Sequence, residues 1–415
     1  MRIAVIGSGI SGLAAAYYLS RKHEVSLFEK DTRLGGHTNT IMVESSRGPL
    51  AVDTGFIVHN DRNYPNLVKL FVELGVETQA SDMSFAVTCR NSGFEYSSRG
   101  LRGFFAQRSN LWTREHYKLF AEILRFNRAA PKLLRDAGAD GATLGDFLNE
   151  ARFNEGFTEK YLYPMASAVW STSLDAIRSF PAATLVRFFD NHGMLGINTH
   201  PKWRVLLGGS HRYLAPITVP YRKRIHLGTR IISVARTEQE VTLNFADRAP
   251  MCFDQVVFAC HGDQVLPLLV SPSDTERDVL RSFTTSSNEA CLHTDATLLP
   301  RRADARASWN YNLDLNGRNA ATLTYDMNRL QSLDVEERYC VTLNGGAAID
   351  PEKIIERFIY HHPLYTHHAI ASQARWSNIS GVNRTHYCGA YWFYGFHEDG
   401  LNSALRVARA LGVDH

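Results

Sequence analysis

The chain has 415 residues, 44% of them hydrophobic, which is enough apolar material for a sizeable folded core and argues against disorder. Its 45 basic and 42 acidic residues leave a net charge of +3, so no overall positive field favours a nucleic-acid partner. The first predicted strand begins at Arg2, and no apolar run reaches the length of a membrane-spanning helix. We therefore predict a cytoplasmic protein without a signal peptide or membrane anchor.

The first predicted unit is a strand, loop, helix and second strand over residues 2–30. Gly7, Gly9 and Gly12 let the backbone turn tightly, approach a pyrophosphate and pack the helix on the strand. Glu29 ends the second strand, where its carboxylate can accept hydrogen bonds from an adenosine ribose. Glycine-rich turns also close ordinary βα units, but here the strand, the glycines, the helix, the second strand and the acid all occur at the expected positions. The unit predicts a dinucleotide site and leaves open whether the nucleotide is NAD or FAD.

The next segments resemble the flavin amine oxidase superfamily. Residues 33–38 (RLGGHT) resemble its RxGG segment, which supports the FAD pyrophosphate, and residues 52–57 (VDTGFI) resemble the turn beside the isoalloxazine ring. Residues 253–261 resemble a later FAD-domain strand, and residues 387–400 resemble the closing flavin motif and helix. The resemblance implies an α/β fold with a Rossmann-like FAD-binding domain and noncovalent FAD.

The resemblance also implies individual cofactor contacts, carried over position by position. The implied FAD-binding residues are Gly7, Gly9, Ser11, Gly12, Glu29, Lys30, Arg33, Gly35, Gly36, His37, Thr38, Thr54, Gly55, Phe56, Ile57, Ile231, Cys260, Gly389, Glu398, Asp399 and Leu401. Cys388 lies beside the implied flavin, but the match gives it no role in covalent attachment. The six cysteines show no CxxC spacing, so we predict buried thiols rather than a zinc ribbon or a redox dithiol.

Four segments resemble, more narrowly, a bacterial branch of predicted NAD/FAD-binding proteins. They are residues 55–66, 253–261, 360–366 and 388–412. That branch is similar to the N-terminal part of plant cyclopropane fatty acid synthases. The resemblance implies a link to modified fatty acids, which is an association rather than a physical argument.

The FAD-like segments lie at the start, middle and end of the chain, so they predict a discontinuous FAD-binding domain. We predict that residues 1–78, 203–289 and 376–415 form it, and that a second, α+β substrate domain is inserted as residues 79–202 and 290–375. Hydrophobic spacing predicts helices and strands within these segments. The predicted helices are 115–136 and 147–162, and the predicted strands are 230–234, 241–245, 321–325 and 340–343.

Three features bear on the chemistry. No second strand-GxGxxG-helix unit follows the first, so electrons are expected from the substrate and should pass from reduced flavin to oxygen or another carrier. Residues 290–350 contain no lysine, whereas many superfamily members hold one near the flavin. Phe396 occupies the aromatic cage position without the hydroxyl of the usual tyrosine, and Gly389 is followed by Ala390 rather than an acid. These departures make a simple amine substrate less favoured.

Candidate catalytic residues are His397, Phe396 and His59. His397 begins the last predicted helix, and histidine can exchange a proton near neutral pH. Glu398 and Asp399 follow it, and each can be read as a helix cap as well as a site residue.

Two further patterns leave alternatives open. The HHPLYTHH stretch, residues 361–368, invites a metal site, but its spacing favours packing around Pro363, and we predict no metal. A basic aromatic run over residues 99–114 can be read as a lipid-contacting surface or as a solvated loop rim.

We therefore predict an FAD-dependent oxidoreductase that oxidises or desaturates an apolar, fatty-acyl or lipid substrate by hydride transfer to flavin. One alternative is a flavin amine oxidase. The other is a non-catalytic flavoprotein partner of a lipid-modifying enzyme. Peripheral membrane contact is part of the lipid interpretation, and the sequence leaves the oligomeric state open.

Overall fold

The computed structural model describes residues 1–135, 141–196, 201–315 and 322–414. The strands of these residues are β1 (Arg2–Ile6), β2 (Glu24–Phe28), β3 (Thr40–Ser45), β4 (Gly48–Asp53), β5 (Val58–Asn60), β6 (Thr78–Ala80), β7 (Phe85–Cys89), β8 (Phe94–Ser97), β9 (Trp203–Leu206), β10 (Ile225–His226), β11 (Ile231–Arg236), β12 (Val241–Phe245), β13 (Met251–Phe253), β14 (Gln255–Phe258), β15 (Thr285–His293), β16 (Trp309–Asn312), β17 (Leu323–Asp326), β18 (Cys340–Leu343), β19 (Ile354–Pro363) and β20 (Thr385–Tyr387).

The α-helices connect and cover these strands. They are α1 (Ile10–Leu19), α2 (Pro65–Glu73), α3 (Gly100–Phe104), α4 (Arg114–Leu133), α5 (Leu144–Glu150), α6 (Glu155–Phe157), α7 (Tyr163–Trp170), α8 (Leu174–Arg178), α9 (Ala182–Asn191), α10 (Leu214–Thr218), α11 (Asp274–Leu280), α12 (Met327–Leu330), α13 (His367–Gln373) and α14 (His397–Ala410). Within the described ranges, no helix is both long and apolar enough to cross a lipid bilayer.

A five-stranded parallel sheet carries the dinucleotide unit. Its strand order is β10-β2-β1-β14-β20, and each neighbouring pair runs parallel. The central strand β1 is buried from Ile3 to Ile6, as expected for a parallel strand covered on both faces. The carboxyl ends of β1 and β14 meet at one edge, where ligands bind in open α/β sheets.

A seven-stranded mixed sheet forms the second large layer. Its order is β19-β15-β18-β17-β16-β7-β8, and its pairs are antiparallel apart from β7 with β16. Two separated stretches of chain build it, and helices α4 to α9 share a hydrophobic core with its strands. Strand β15 starts at Thr285, within the segment predicted for the FAD-binding domain. The domain boundaries themselves stay predictions.

Most predicted elements are confirmed. The dinucleotide unit is present as β1, α1 and β2, and the strands predicted at 230–234, 241–245 and 340–343 are β11, β12 and β18. The strand predicted at 321–325 is β17, although residue 321 lies outside the described residues. The helix predicted at 115–136 is α4, which ends at Leu133, and residue 136 is likewise outside the described ranges.

The single helix predicted over residues 147–162 is wrong, because the chain forms separate helical pieces there. Helix α5 starts at a capping box in which Thr143 and Asp146 exchange hydrogen bonds, and it ends at Glu150. Arg152 then adopts a left-handed conformation with φ of 53°. The side chain of Asn154 accepts a hydrogen bond from the Phe157 amide and starts α6. Two good N-cap residues within 12 positions mark two helix starts.

Candidate active site

The loop between β1 and α1 depends on three glycines with different roles. Gly7 has a φ of +104°, and its N–H donates to the Phe28 carbonyl over 2.8 Å. A Cβ at Gly12 would lie 1.9 Å from the Gly7 carbonyl oxygen, so Gly12 permits α1 to pack against the loop. A Cβ at Gly9 would meet nothing within 4 Å, and Gly9 lines the central cavity. The loop thus presents open backbone and a helix N-terminus, which together suit an anion.

Glu29 supports this loop directly. Its Oε2 accepts hydrogen bonds from the Ser8 amide at 2.8 Å and the Ser8 hydroxyl at 2.7 Å. Its Oε1 accepts a bond from the Asp31 amide at 3.0 Å. A carboxylate has about four acceptor positions, so capacity remains for a ribose hydroxyl in the cavity that Glu29 lines.

One cavity of about 2370 Å³ joins the glycine loop to the helical half of the molecule. Typical small-molecule sites measure about 300–1,000 Å³, so this cavity has room for a dinucleotide and a second ligand. The predicted residues that line it are Gly7, Gly9, Ser11, Glu29, Lys30, Arg33, Gly35, Gly36, His37, Thr54, Gly55, Phe56, Ile57, Ile231, Cys260, Gly389, Phe396 and His397. Those outside its lining are Gly12, Thr38, His59, Glu398, Asp399 and Leu401.

Arg33 shapes the RxGG segment. Its guanidinium donates to the carbonyls of Gly36 at 2.8 Å and Thr38 at 3.2 Å. Gly35 has a φ of +108°, and a Cβ there would lie 2.5 Å from the Thr38 carbonyl oxygen. These bonds fold the segment tightly, and a Cβ on Gly36 would lie 3.1 Å from the Gly9 Cα. The two glycine-containing loops therefore form one cradle.

Asp53 anchors the second turn. Its carboxylate accepts hydrogen bonds from the Ser210 amide at 2.8 Å, the Ser210 hydroxyl at 2.8 Å and the Thr40 hydroxyl at 2.5 Å. Gln331 also donates to it at 3.1 Å, and burial raises the pKa of Asp53 to about 6. The turn at 53–57 is thereby tied both to the chain at 210 and to the segment that follows β17. Ser210 and Gln331 were not predicted, because both contacts join residues that are far apart in the sequence.

His397 lies at the start of α14, where sequence analysis placed it. Its ring stacks on Phe56 with centroids 3.6 Å apart, and its Nε2 is 3.0 Å from the Thr38 hydroxyl. Burial lowers the pKa of His397 to about 3. The expectation that it exchanges a proton near neutral pH does not fit this environment, because the imidazole stays neutral there. Its geometry suits a fixed hydrogen-bonding and stacking group beside the cavity.

Glu398 and Asp399 cap helices, and their contact with the cofactor stays a prediction. The Glu398 carboxylate accepts bonds from the Asn66 and Leu67 amides, at 3.0 and 2.8 Å, and so caps α2 rather than its own helix. Asp399 accepts from the Phe396 amide at 2.9 Å and caps α14. Burial raises the pKa of Asp399 to about 7. Both carboxylates fix the position of the α14 N-terminus at the cavity.

The remaining two predicted contacts outside the lining are also structural. Leu401 is fully buried in the core beneath the five-stranded sheet. Thr38 is buried, and its hydroxyl is 2.6 Å from that of Tyr213. The same hydroxyl is within hydrogen-bonding distance of His397 Nε2, so Thr38 positions the His397 ring.

An aromatic wall faces the cavity from the helical half. Phe396 stacks on Phe188 with ring centroids 5.0 Å apart, and Phe188 also contacts Trp170 at 4.8 Å. All three line the cavity. Phe396 was predicted from the sequence, whereas Phe188 and Trp170 were not. Their only signal is apolar helical spacing, which does not tell a cavity wall from a packed core.

Four histidines meet at the edge of the cavity. His37 lies 5.8 Å from His261 and 5.3 Å from His362, and His261 lies 6.2 Å from His361, between ring centroids. The Nδ1 of His362 is 3.0 Å from the Asn288 amide nitrogen. Across the described part of the chain, no group of three or more His, Cys, Asp or Glu has a geometry that could hold a metal ion. The stretch predicted to pack around Pro363 therefore contributes two side chains to the cavity edge.

His59 lies in the core rather than in the cavity lining, and its catalytic role stays a prediction. It is 1% exposed, lies outside the cavity lining and contacts the edge of Phe71 at 5.2 Å. Burial, with a smaller contribution from Arg204, lowers the pKa of His59 to about 4. It is a core histidine in the middle of β5.

We expect His59 to make the apoprotein less stable in acid. Its unfolded pKa is near 6.5 and its folded pKa is lower, so unfolding takes up a proton below pH 6.5 and the free energy of unfolding falls as pH falls towards 4. Between pH 7.5 and pH 5 this amounts to about 2 kcal/mol. Denaturant unfolding of the wild type and of His59→Gln at both pH values measures it. An equal loss in both proteins would contradict the assignment.

All six cysteines are free thiols. The two near the glycine loop are kept protonated by burial. Cys260 lines the cavity, and burial raises its pKa to about 12. Cys388 is fully buried, and burial raises its pKa as well. A protonated thiol is a poor nucleophile, which fits a noncovalent cofactor.

A dinucleotide fits the cradle in chemistry as well as size. The glycine loop offers backbone amides, and Glu29 retains acceptor capacity. Among the described residues, five polar atoms of the cavity lining are buried without a hydrogen-bond partner: His37 Nε2, Asn127 Oδ1, Trp309 Nε1 and the hydroxyls of Tyr365 and Tyr391. Buried polar groups in folded proteins are normally paired, so these atoms are available to hydrogen-bond a ligand or water in the cavity.

Comparison with known proteins agrees with this geometry. Residues 10–412 match the family described as flavin containing amine oxidoreductase. Prenylcysteine oxidase 1 of Pongo abelii is 29% identical over 220 residues, which cover 46% of this chain and 42% of that protein. A 4,4'-diapophytoene desaturase of Staphylococcus aureus is 55% identical over 42 residues, which cover 10% of this chain and 8% of that protein. The matched region thus spans less than half the length of these relatives.

Solved structures share the fold over nearly the whole chain. Cyclohexylamine oxidase from Brevibacterium oxydans superposes with a TM-score of 0.73 and 14% identity, covering 99% of this chain and 98% of that one. A fatty acid isomerase from P. acnes that produces CLA superposes with a TM-score of 0.70 and 14% identity, covering 99% of both chains. At such identity the likeness establishes the fold alone.

Proposed function

The chain belongs to the flavin-containing amine oxidoreductase family, and from that premise we propose that it is an oxidoreductase acting on an apolar, fatty-acyl or other lipid, substrate. We propose that it oxidises or desaturates this substrate. FAD is the family's cofactor. When bound, it accepts a hydride from the substrate.

The residues that would hold FAD follow from the cradle. The loop at Gly9 and the N-terminus of α1 suit the pyrophosphate, and Glu29 suits the adenosine ribose. The turn at 54–57 and the N-terminus of α14 suit the ring system. The positive end of the α14 dipole favours negative charge placed against it, and Glu398 and Asp399 hold that helix end in position.

The observation that carries the proposal is the apolar far end of the cavity. This apolar chamber is built by α3, α4, α7 and α9, and its residues are Phe104, Phe120, Ile123, Leu124, Met165, Val169, Trp170 and Phe188. Burying one methylene group contributes about 0.8 kcal/mol, so a long acyl chain could bind there without any polar cage. Phe396 and Phe188 stack between this chamber and the α14 N-terminus, where they exclude water.

Other observations support an apolar substrate over a simple amine. Residues 290–350 contain no lysine, and Phe396 provides no hydroxyl at the cage position. Two relatives carry names that refer to prenylcysteine oxidation and diapophytoene desaturation. We propose, from the sequence resemblance alone, that modified fatty acids are the substrate class.

His397 contributes to this chemistry without transferring a proton. Burial keeps its imidazole neutral, and Thr38 fixes the Nε2 at 3.0 Å. Hydride removal by a flavin does not require a strong protein base. The residue therefore stacks on Phe56 and shapes the floor of the site.

We expect a fatty-acyl or membrane-lipid extract to bleach the oxidised flavin bands of the holoprotein under anaerobic conditions. Simple amines at the same concentration should leave the bands unchanged, because the chamber offers no counter-charge for an ammonium group. The measurement is the flavin absorbance after anaerobic mixing.

The other outcomes identify the alternatives. Bleaching by amines alone would establish an amine oxidase and overturn the lipid proposal. Retention of FAD without bleaching by either class would indicate a non-catalytic flavoprotein that acts beside a lipid-modifying enzyme.

A further inference from the structure

An exposed apolar surface lies on the helices that roof the apolar chamber. Its most exposed side chains are Trp112 at 89%, Leu101 at 70% and Tyr117 at 50%, with Leu111 and Phe120 beside them. We call this surface, over residues 99–120, the roof surface. Large exposed apolar side chains clustered in this way mark interaction sites on proteins without a membrane span.

Internal contacts hold the roof surface together. The Phe105 ring lies 5.6 Å from that of Tyr117, and the Phe104 ring lies 5.6 Å from that of Phe120, so α3 packs on α4. The Tyr117 hydroxyl donates to the Leu111 carbonyl over 3.0 Å and fixes the turn that carries Trp112. The apolar side chains are therefore presented by packed elements.

The roof surface carries a net positive charge. Residues 99–120 hold five basic residues (Arg99, Arg102, Arg108, Arg114 and Lys118) and one acidic residue, Glu115, which gives a net charge of +4 against +3 for the whole chain. All six are exposed. In the described structure Arg102 forms an ion pair with Asp304 at 2.9 Å. The other four basic side chains of the surface face solvent. A cationic surface with exposed Trp and Leu is complementary to an anionic lipid interface.

The roof surface is continuous with the cavity. Arg99, Leu101, Phe104 and Phe120 line the cavity, and Leu101 and Phe120 are also exposed to solvent. The same side chains thus face the outside and the route to the apolar chamber. A lipid chain passing between them would avoid contact with bulk water.

We propose that the roof surface docks on an anionic phospholipid bilayer, with Trp112 and Leu101 inserted among the headgroups and the four cations on the phosphates. This inference rests on the proposed function, because the docked orientation places the cavity mouth against the source of the substrate. Self-association of two copies through this surface would bring two charges of +4 together, so the bilayer is the favoured occupant.

Cosedimentation of the holoprotein with vesicles tests the proposal. We expect binding to vesicles of phosphatidylcholine mixed with phosphatidylglycerol, weak binding to phosphatidylcholine alone, and a loss of binding at high salt. Leu101→Asp combined with Trp112→Asp should weaken binding by about tenfold or more. Val72→Asp is the matched control, because Val72 is 76% exposed on α2, away from the roof surface, and should bind as the wild type does.

Several results would overturn the docking proposal. The first is that the protein binds neither type of vesicle. The second is that Val72→Asp weakens vesicle binding as much as the double substitution does. The third is that the protein dimerises in a concentration-dependent way and the double substitution abolishes the dimer. The flavin content of each variant reports folding. Anaerobic bleaching by a detergent-dispersed fatty acid is measured separately, so bleaching without vesicle binding refutes the docking alone, and vesicle binding without bleaching refutes the proposed function alone.

Discussion

A Gly9→Val variant is expected to purify as a folded protein that carries no FAD. The backbone at Gly9 has φ of −65° and ψ of 178°, which any residue adopts, and a Cβ there meets nothing within 4 Å. The valine side chain would therefore occupy the space of the pyrophosphate without disturbing the fold. We expect FAD affinity to fall by about 100-fold or more, because both the close backbone approach and the helix N-terminus are blocked.

The measurement is flavin absorbance per protein after purification, with acid precipitation of the wild type to confirm that its yellow cofactor is released. Gly141→Val is the matched control, because a Cβ at Gly141 also meets nothing within 4 Å and the residue is far along the chain from the cradle. Gly12→Val should instead fail to fold, since its Cβ would lie 1.9 Å from a backbone oxygen. A yellow Gly9→Val protein would refute the assignment of this loop to the cofactor.

The cofactor cradle was predictable because its signals are local. The alternation of strand, turn and helix over residues 2–30 follows from apolar spacing and from the loop glycines, of which Gly7 has a positive φ that few other residues adopt. The same holds for Gly35 and for the strands β11, β12 and β18. Each of these depends on neighbours within a few positions in the chain.

The roles of the acids after Phe396 were not predictable, because their partners are distant. Glu398 caps a helix that begins more than 300 positions earlier, and Asp53 is satisfied by Ser210 and Gln331. A carboxylate in a first helical turn looks the same in the sequence whether it caps its own helix, caps another or meets a ligand. Tertiary structure alone separates these cases.

The histidines show a related limit. Sequence spacing describes residues 361–368 as one stretch, yet His361 and His362 turn to the cavity at the end of β19 while His367 starts α13. Their neighbours His37 and His261 come from two other loops, which follow β2 and β14. Burial also removes the property that made His397 attractive, since a histidine is a neutral-pH switch only where water or a counter-charge supports its cation.

The apolar chamber offers a test in which the sign of the effect reports the substrate class. Val169 lies on α7 and lines the chamber, so Val169→Asp places a carboxylate where an acyl chain would bind. Desolvating that carboxylate against an apolar ligand should cost about 3 kcal/mol, which lowers the rate of flavin bleaching at limiting lipid by about 100-fold. Val169→Thr keeps the shape of the side chain and should lower that rate by less than about tenfold.

The same substitution should act in the opposite direction on a cationic substrate, because a carboxylate in the chamber attracts an ammonium group. Anaerobic bleaching rates of the wild type, Val169→Asp and Val169→Thr are therefore compared with a fatty acid and with an amine of matched chain length, after their FAD contents are shown to be equal. A lipid rate that survives Val169→Asp would place the substrate outside the chamber. An amine rate that is measurable in the wild type and rises in Val169→Asp would place an amine inside the chamber and overturn the preference for a lipid.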